Sequence, residues 1–218
     1  MCNITLIGTH HRELGKCNSD ELYKIIESIK PDVIFVELSP DLLDRIFIGN
    51  QLTNELLEVK FIKKYSVSHN IRFIPVDIDP DQGLPLRDIE YMFSTFKKND
   101  VHKKIEDEQY KLLARDGFVF LNSKKNMDLF EEKKITERNL IEFMMNKNQL
   151  LRIWNYFYEE QENRDSEMLR NIYNYSKLNS YETAIFIIGA GHRKSLMQKI
   201  QKYEGKEEFK LNWTFYNS

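Results

Sequence analysis

The chain has 218 residues, 41% hydrophobic and 30% charged, which fits one globular domain with an insertion, or two small ones, and excludes a disordered chain. Its 32 basic and 34 acidic side chains nearly cancel, so no broad field favours nucleic acid or an anionic membrane as partner. Cys2 and Cys17 make no disulfide framework, no window approaches the ~20 apolar residues of a membrane span, and the first residues run directly into a strand, so the expectation is a cytoplasmic protein, or a mature form whose leader has been removed.

Residues 4–7 (ITLI) predict a short buried strand that stops at Gly8, with His10 and His11 just beyond. Residues 20–29 carry apolar side chains at helical spacing, with Ser19 or Asp20 as the expected cap. After Pro31-Asp32, the run VIFV predicts a second strand, buried on both faces and ending at Glu37. Strand, helix and strand make a βαβ unit with a right-handed crossover. A helical pattern over residues 40–68, with Gly49-Asn50 as a break, leads to a third strand at 71–76 and the acidic run Asp77, Asp79, Asp81.

Residues 87–181 differ. They are highly charged, rich in Phe and Tyr, free of proline and helical in pattern, which predicts a large helical insertion over the open end of the sheet. Its charge runs read as solvated helix faces, and His102, like His69 before it, is expected in solvent. Trp154, Tyr156, Phe157 and Tyr158 either pack helix on helix or line a cleft. Residues 184–188 (AIFII) predict another strand, followed by Gly189, Gly191 and His192. Residues 210–216 alternate as an edge strand, with Leu211, Trp213 and Phe215 on one face. The expected fold is a single α/β domain over residues 1–218, with a mainly parallel central sheet flanked by helices.

Gly-x-x-His follows a strand twice. In an open parallel sheet, sites form outside the carboxyl ends of the strands, where His11, Glu37, Asp77 and His192 are all expected. Gly8, Gly189 and Gly191 allow a positive φ or a close backbone approach. Two imidazoles and a carboxylate suit a divalent transition metal and its water. Without metal, the same three residues serve as a base, its orienting carboxylate and an acid. A carboxylate at the end of a buried strand needs a cation, and Arg45, one or two turns on, is available to Glu37. His10 points away from His11 in an extended chain and is given a supporting role.

The segments LIGTHH, PDVIFVELSPDLLDR, ENRDSEML and FIIGAGH, in that order, resemble the TraB/PrgY family and its Tiki and GumN relatives. These belong to a wider superfamily with the erythromycin esterases and the ChaN-type haem-binding proteins. The resemblance puts the family's motif on Gly8 and His11, Glu37 and Arg45, Arg164 and Asp165, and Gly189 and His192. Arg138-Asn139 competes for the third place, but the Ser-Glu-Met after Arg164-Asp165 matches the family's spacing. The resemblance implies a hydrolase-like site, in Tiki members a metal-dependent peptidase. The expectation is a metal-dependent hydrolase of a peptide or another small amide or ester. His11, Glu37 and His192 would hold Mn, Co, Fe or Zn, Arg164 would stabilise an oxyanion, and Arg45, Asp77, Asp165 and His10 would support them. The alternative is a non-catalytic protein that binds a peptide signal or haem in the same cleft. The expected partners are a peptide or small-molecule substrate and a second copy of the chain, with no nucleic acid and no membrane span.

Overall fold

The computed structural model describes residues 2–48, 56–79, 83–206 and 208–217. Five strands form one all-parallel sheet: β1 (Asn3–Thr9), β2 (Val33–Val36), β3 (Arg72–Pro75), β4 (Thr183–Gly189) and β5 (Asn212–Phe215). Their order across the sheet is β3-β2-β4-β1-β5. The third strand is shorter at both ends than its sequence pattern, and the last is the expected edge strand, with Leu211 and Trp213 buried.

Both faces of the sheet are covered, as the continuous apolar runs require. Successive side chains alternate between two cores: Ile34, Val36, Ile185 and Ile187 face one, and Val33, Phe35, Phe186 and Ile188 face the other. The first core is closed by α1 (Ser19–Ile29), α2 (Pro40–Ile48) and α3 (Leu57–Ser68), together with Ile105, Leu113, Phe118, Leu121 and Leu129 of the insertion. The cap of α1 is Asn18, whose side chain accepts from the Glu21 N–H, and not Ser19 or Asp20. Ser19 is instead the first helical residue, and its hydroxyl donates to Glu13 at 2.6 Å. The Gly49-Asn50 break lies outside the described residues, as does Asp81.

The insertion is helical throughout its described elements: α4 (Leu86–Phe96), α5 (Asp100–Asp116), α6 (Phe118–Leu121), α7 (Lys124–Glu142) and α8 (Lys147–Leu178). It has a small core of its own, with Met92, Phe96, Ile141, Leu150 and Ile153 packed between α4, α7 and α8. The C-terminal half of α8 leaves that core and lies on the sheet, burying Met168, Leu169 and Ile172 in the second sheet core. The helix α9 (Arg193–Lys206) follows β4 and packs on the same side.

Two histidines sit differently from expectation. His102 is buried, with Nε2 3.2 Å from the wholly buried Glu137, because α5 turns this face toward α7. Glu137 also accepts from Tyr158 at 2.8 Å and Trp154 at 3.3 Å, so its charge meets three donors. His69 is half-buried and stacks on Tyr65 at 4.1 Å between ring centres, at the end of α3. Among the described residues, no helix is long and apolar enough to cross a membrane.

Candidate functional site

The two Gly-x-x-His segments meet because β1 and β4 are neighbours in the sheet, with Gly8 opposite Ile188 and Thr9 opposite Gly189. The strands end together, and the Ala190 N–H donates to the Thr9 carbonyl at 2.8 Å. β2 lies on the other side of β4 and delivers Glu37 to the same edge, and β3 delivers Asp77 beyond it. A Cβ added to Gly189 would lie 3.2 Å from Glu37 Oε2, 3.7 Å from His192 Cδ2 and 3.9 Å from His11 Cε1. Glycine is therefore needed here for close approach, not for an unusual φ; Gly8, Gly189 and Gly191 all have negative φ. Gly8 is similar: its N–H donates to Asn122 Oδ1 at 2.7 Å, and a Cβ would crowd that atom. Gly191 is exposed and meets only ordinary contacts.

Glu37 is the hub. One carboxylate oxygen accepts from the Gly189 N–H at 2.6 Å, and the other accepts from Arg164 at 2.9 Å and lies 3.2 Å from His192 Nε2. Burial pushes its pKa up, but His192, the Gly189 N–H and Arg164 together hold it down at about 2. Arg164 reaches this position from α8 and also donates through Nε and Nη2 to Asp77. Its Nη1 makes no hydrogen bond among the described residues.

Asp165, the next residue on α8, is buried and bonds His192 Nδ1 at 2.6 Å. Both imidazole nitrogens of His192 thus face carboxylates. Burial alone would lower its pKa, but Asp165 and Glu37 raise it to about 10, so the ring is an imidazolium at neutral pH. It stands just before α9, where the helix dipole disfavours a cation, and the two carboxylates outweigh that field.

His11 differs from His192 in exposure. Its side chain is 65% exposed, against 10% for His192, so it is the imidazole that a ligand reaches. Its Nδ1 lies 3.4 Å from Glu58, and that pairing raises its pKa above the ordinary 6.5. Glu58 stands in the first turn of α3 and also accepts from Thr9 at 2.6 Å. Burial would raise the Glu58 pKa, but His11, Thr9 and the helix N-terminus bring it down. His11 Nε2 has no partner among the described residues.

Some expected residues are elsewhere. Arg45 pairs with Asp41 at 2.8 Å on the exposed side of α2, and the cation on Glu37 is Arg164 instead. Arg138 pairs with Glu142 along α7, away from this cleft. His10 turns the other way from His11: its Nδ1 meets the Arg12 backbone, and its ring meets Tyr110 edge-on. Asp79 makes no contact with Arg164 or either site histidine among the described residues. Sequence reasoning missed Glu58 and Asn122. The signal for Glu58 is an acid opening an apolar helical run, which reads as helix-start chemistry rather than as a partner for His11. Asn122 carries no signal, since it sits after a four-residue helix and works by bridging both backbone groups of Gly8.

The arrangement does not suit a metal. A ligating imidazole needs a free lone pair, and both His192 nitrogens are engaged by Asp165 and Glu37. Glu37 has both oxygens committed to donors. Among the described residues, no three His, Cys, Asp or Glu side chains are grouped to hold an ion.

No family model matches the chain, and no curated protein matches it. Among solved structures, the chain is similar to a mutant erythromycin esterase, EreC, in its open conformation, with a TM-score of 0.39 and 15% identity over 85% of this chain and 60% of that one.

Proposed function

We propose that the protein is a hydrolase of small esters or amides that works with the side chains described and no metal. The observation that carries this is the exposed, cleft-lining His11, backed by Glu58, at the same strand ends where Arg164 holds Glu37 and keeps Nη1 uncommitted. A base oriented by a carboxylate next to a fixed cation is the minimum set for adding water to a carbonyl.

In this reading, His11 Nε2 takes a proton from water as the water oxygen bonds to the substrate carbonyl carbon. Glu58 holds Nδ1–H and stabilises the imidazolium that forms. The carbonyl oxygen gains the electron pair of its π bond, and Arg164 Nη1–H donates to it. When that pair returns, the C–O or C–N bond breaks, and His11 gives its proton to the departing oxygen or nitrogen. The products are a carboxylic acid and an alcohol or amine, and His11 is neutral again. His192, Asp165, Glu37 and Asp77 touch no reacting atom. They lock Arg164 in place: its Nε and Nη2 are already spent on carboxylates, which leaves Nη1 for the substrate.

The test is a panel of fluorogenic esters and amides, peptides included, with protein purified without a histidine tag. His11→Ala should lower kcat/KM by roughly 10²–10⁴-fold with an unchanged melting temperature. Full activity in His11→Ala, or turnover that chelator abolishes and one equivalent of added metal restores, overturns this reading. No turnover, together with a peptide or haem that copurifies, would make the cleft a binding site.

A further inference from the structure

Two cavities flank the Glu37–His192 pair. A small one, about 70 Å³, opens beside His11, Glu37 and Gly189 and is walled by Val36, Val59, Ile62 and Ile187. A larger one, about 460 Å³, opens beside His192 and Asp165. Its aromatic walls are Phe93, Phe130, Phe157 and Tyr158, and charged and amide side chains, Lys134 and Gln198 among them, line the rest. The Lys134 ammonium stands 4.1 Å from the centre of the Tyr158 ring. Glu37 borders the small cavity and His192 the large one, and their side chains are 3.2 Å apart. His11 also lines the small cavity, so an ester or amide carbonyl presented to His11 Nε2 has the small cavity on one side and the large one on the other.

The sizes and linings differ enough to sort those substituents. An apolar cavity of ~150 Å³ is the scale that takes one benzene ring, so the small cavity admits no aryl group. Its volume corresponds to about five waters, or roughly two to four carbons. Its walls are apolar and mostly aliphatic, with Phe61 among them, so an alkyl chain gains by entering and a polar group loses. The large cavity falls in the range of about 300–1,000 Å³ that holds whole small molecules, and its aromatic faces suit a ring.

We infer that the substrate is a two-part ester or amide, with a compact aliphatic group in the small cavity and a ring-bearing group in the large one. This rests on the hydrolase reading, and its test separates the two. Acetyl, butyryl, hexanoyl and octanoyl esters of p-nitrophenol are compared, since the aryl group fits only the large cavity. Each methylene that enters the small cavity should raise kcat/KM roughly threefold to fourfold, so butyryl should exceed acetyl about tenfold, and octanoyl should fall below both. Val59→Phe, which fills the small cavity, should move the optimum to acetyl. Ile62→Ala, which enlarges it, should move the optimum to hexanoyl, so that either variant suffices if the other does not fold.

Binding is read independently of turnover from methyl NMR, with butyramide as probe. Shifts confined to the Val36, Val59, Ile62 and Ile187 methyls support the pocket even if no ester is cleaved, in which case only the hydrolase reading fails. Turnover that ignores chain length and both variants overturns the pocket and leaves the hydrolase standing. Neither turnover nor methyl shifts overturns both.

Discussion

Glu37 and His192 make opposite demands on pH. His192 has a folded pKa of about 10 against an ordinary 6.5, so its contribution to stability is complete below 6.5 and fades as pH rises to about 10. Glu37 has a folded pKa of about 2 against 4.5, so its contribution is complete above 4.5 and fades as pH falls to about 2. Melting temperatures should therefore decline at both ends, and His192→Gln should flatten the alkaline limb. An alkaline limb unchanged in His192→Gln would place that titration elsewhere. For activity the signs are set by different groups. His11 must be neutral to accept a proton, so kcat/KM should rise through a pKa above 6.5, and it should fall near 10 as His192 loses the charge that orders Glu37 and Arg164. Glu58→Gln should shift the rising limb to lower pH, because the carboxylate that raises the His11 pKa is gone; an unmoved limb would remove Glu58 from this role.

The residue scale is also where the sequence was most and least readable. The resemblance named Arg164, but local reasoning offered Glu37 the nearby Arg45. A side chain eight positions after Glu37, in the next helix, is well placed by proximity, yet Arg45 faces solvent and its neighbour Asp41 takes it. The true partner stands 127 residues away, and no spacing rule reaches that far. The finding reassigns Glu37. With three donors on one buried carboxylate, Glu37→Gln should lower stability by ~3–5 kcal/mol, the usual result of stranding one side of a buried ion pair. A variant that melts like wild type but has lost turnover would return Glu37 to the chemistry.

Among the elements, α8 joins the two halves of the molecule. Its first half packs in the helical core of the insertion, and its second half lies on the sheet. Between them it carries Trp154 and Tyr158 to Glu137, then Arg164 and Asp165 to the strand ends. The helical pattern and the absence of proline made α8 legible, but not the burial of Glu137 and His102. Both lie in charge runs that look like solvated faces, and only the packing of α5 on α7 turns them inward. Glu137→Leu leaves three donors without an acceptor, at ~1–3 kcal/mol for each one stranded, while Glu137→Gln keeps an acceptor and should be milder. Urea titrations of the two variants check this, and equal midpoints would mean that the cluster is hydrated. Because Tyr158 walls the large cavity, Glu137→Leu should also raise KM for aryl esters more than it lowers kcat.

At the scale of the whole molecule, the near-neutral net charge hides a local imbalance. Glu37, Asp77 and Asp165 surround Arg164 and His192, and Glu58 stands by His11, so carboxylates outnumber fixed cations at the strand ends. Neutral or cationic esters should be preferred to anionic ones of the same size, and the preference should shrink as salt is added. A succinyl ester cleaved as fast as its butyryl counterpart at low salt would contradict this. The α/β class was legible from apolar runs alternating with helical patterns. The order of the strands was not, because strands buried on both faces carry no alternation to mark their neighbours.

That order has a consequence during synthesis. β4 fills the gap between β2 and β1, and β5 covers the other side of β1. β1 therefore has neither neighbour until roughly 170 residues after it leaves the ribosome. At ~5–20 residues per second the wait is on the order of ten to thirty seconds. Throughout it, ITLI is an apolar edge without a mate, while β2 and β3 can already pair with each other. Ribosome-bound chains halted before Thr183 should thus expose β1 to protease and to holdase chaperones, and chains carried past Phe215 and clear of the exit tunnel should not. His11, at the end of β1, is made long before the strands that fix its place.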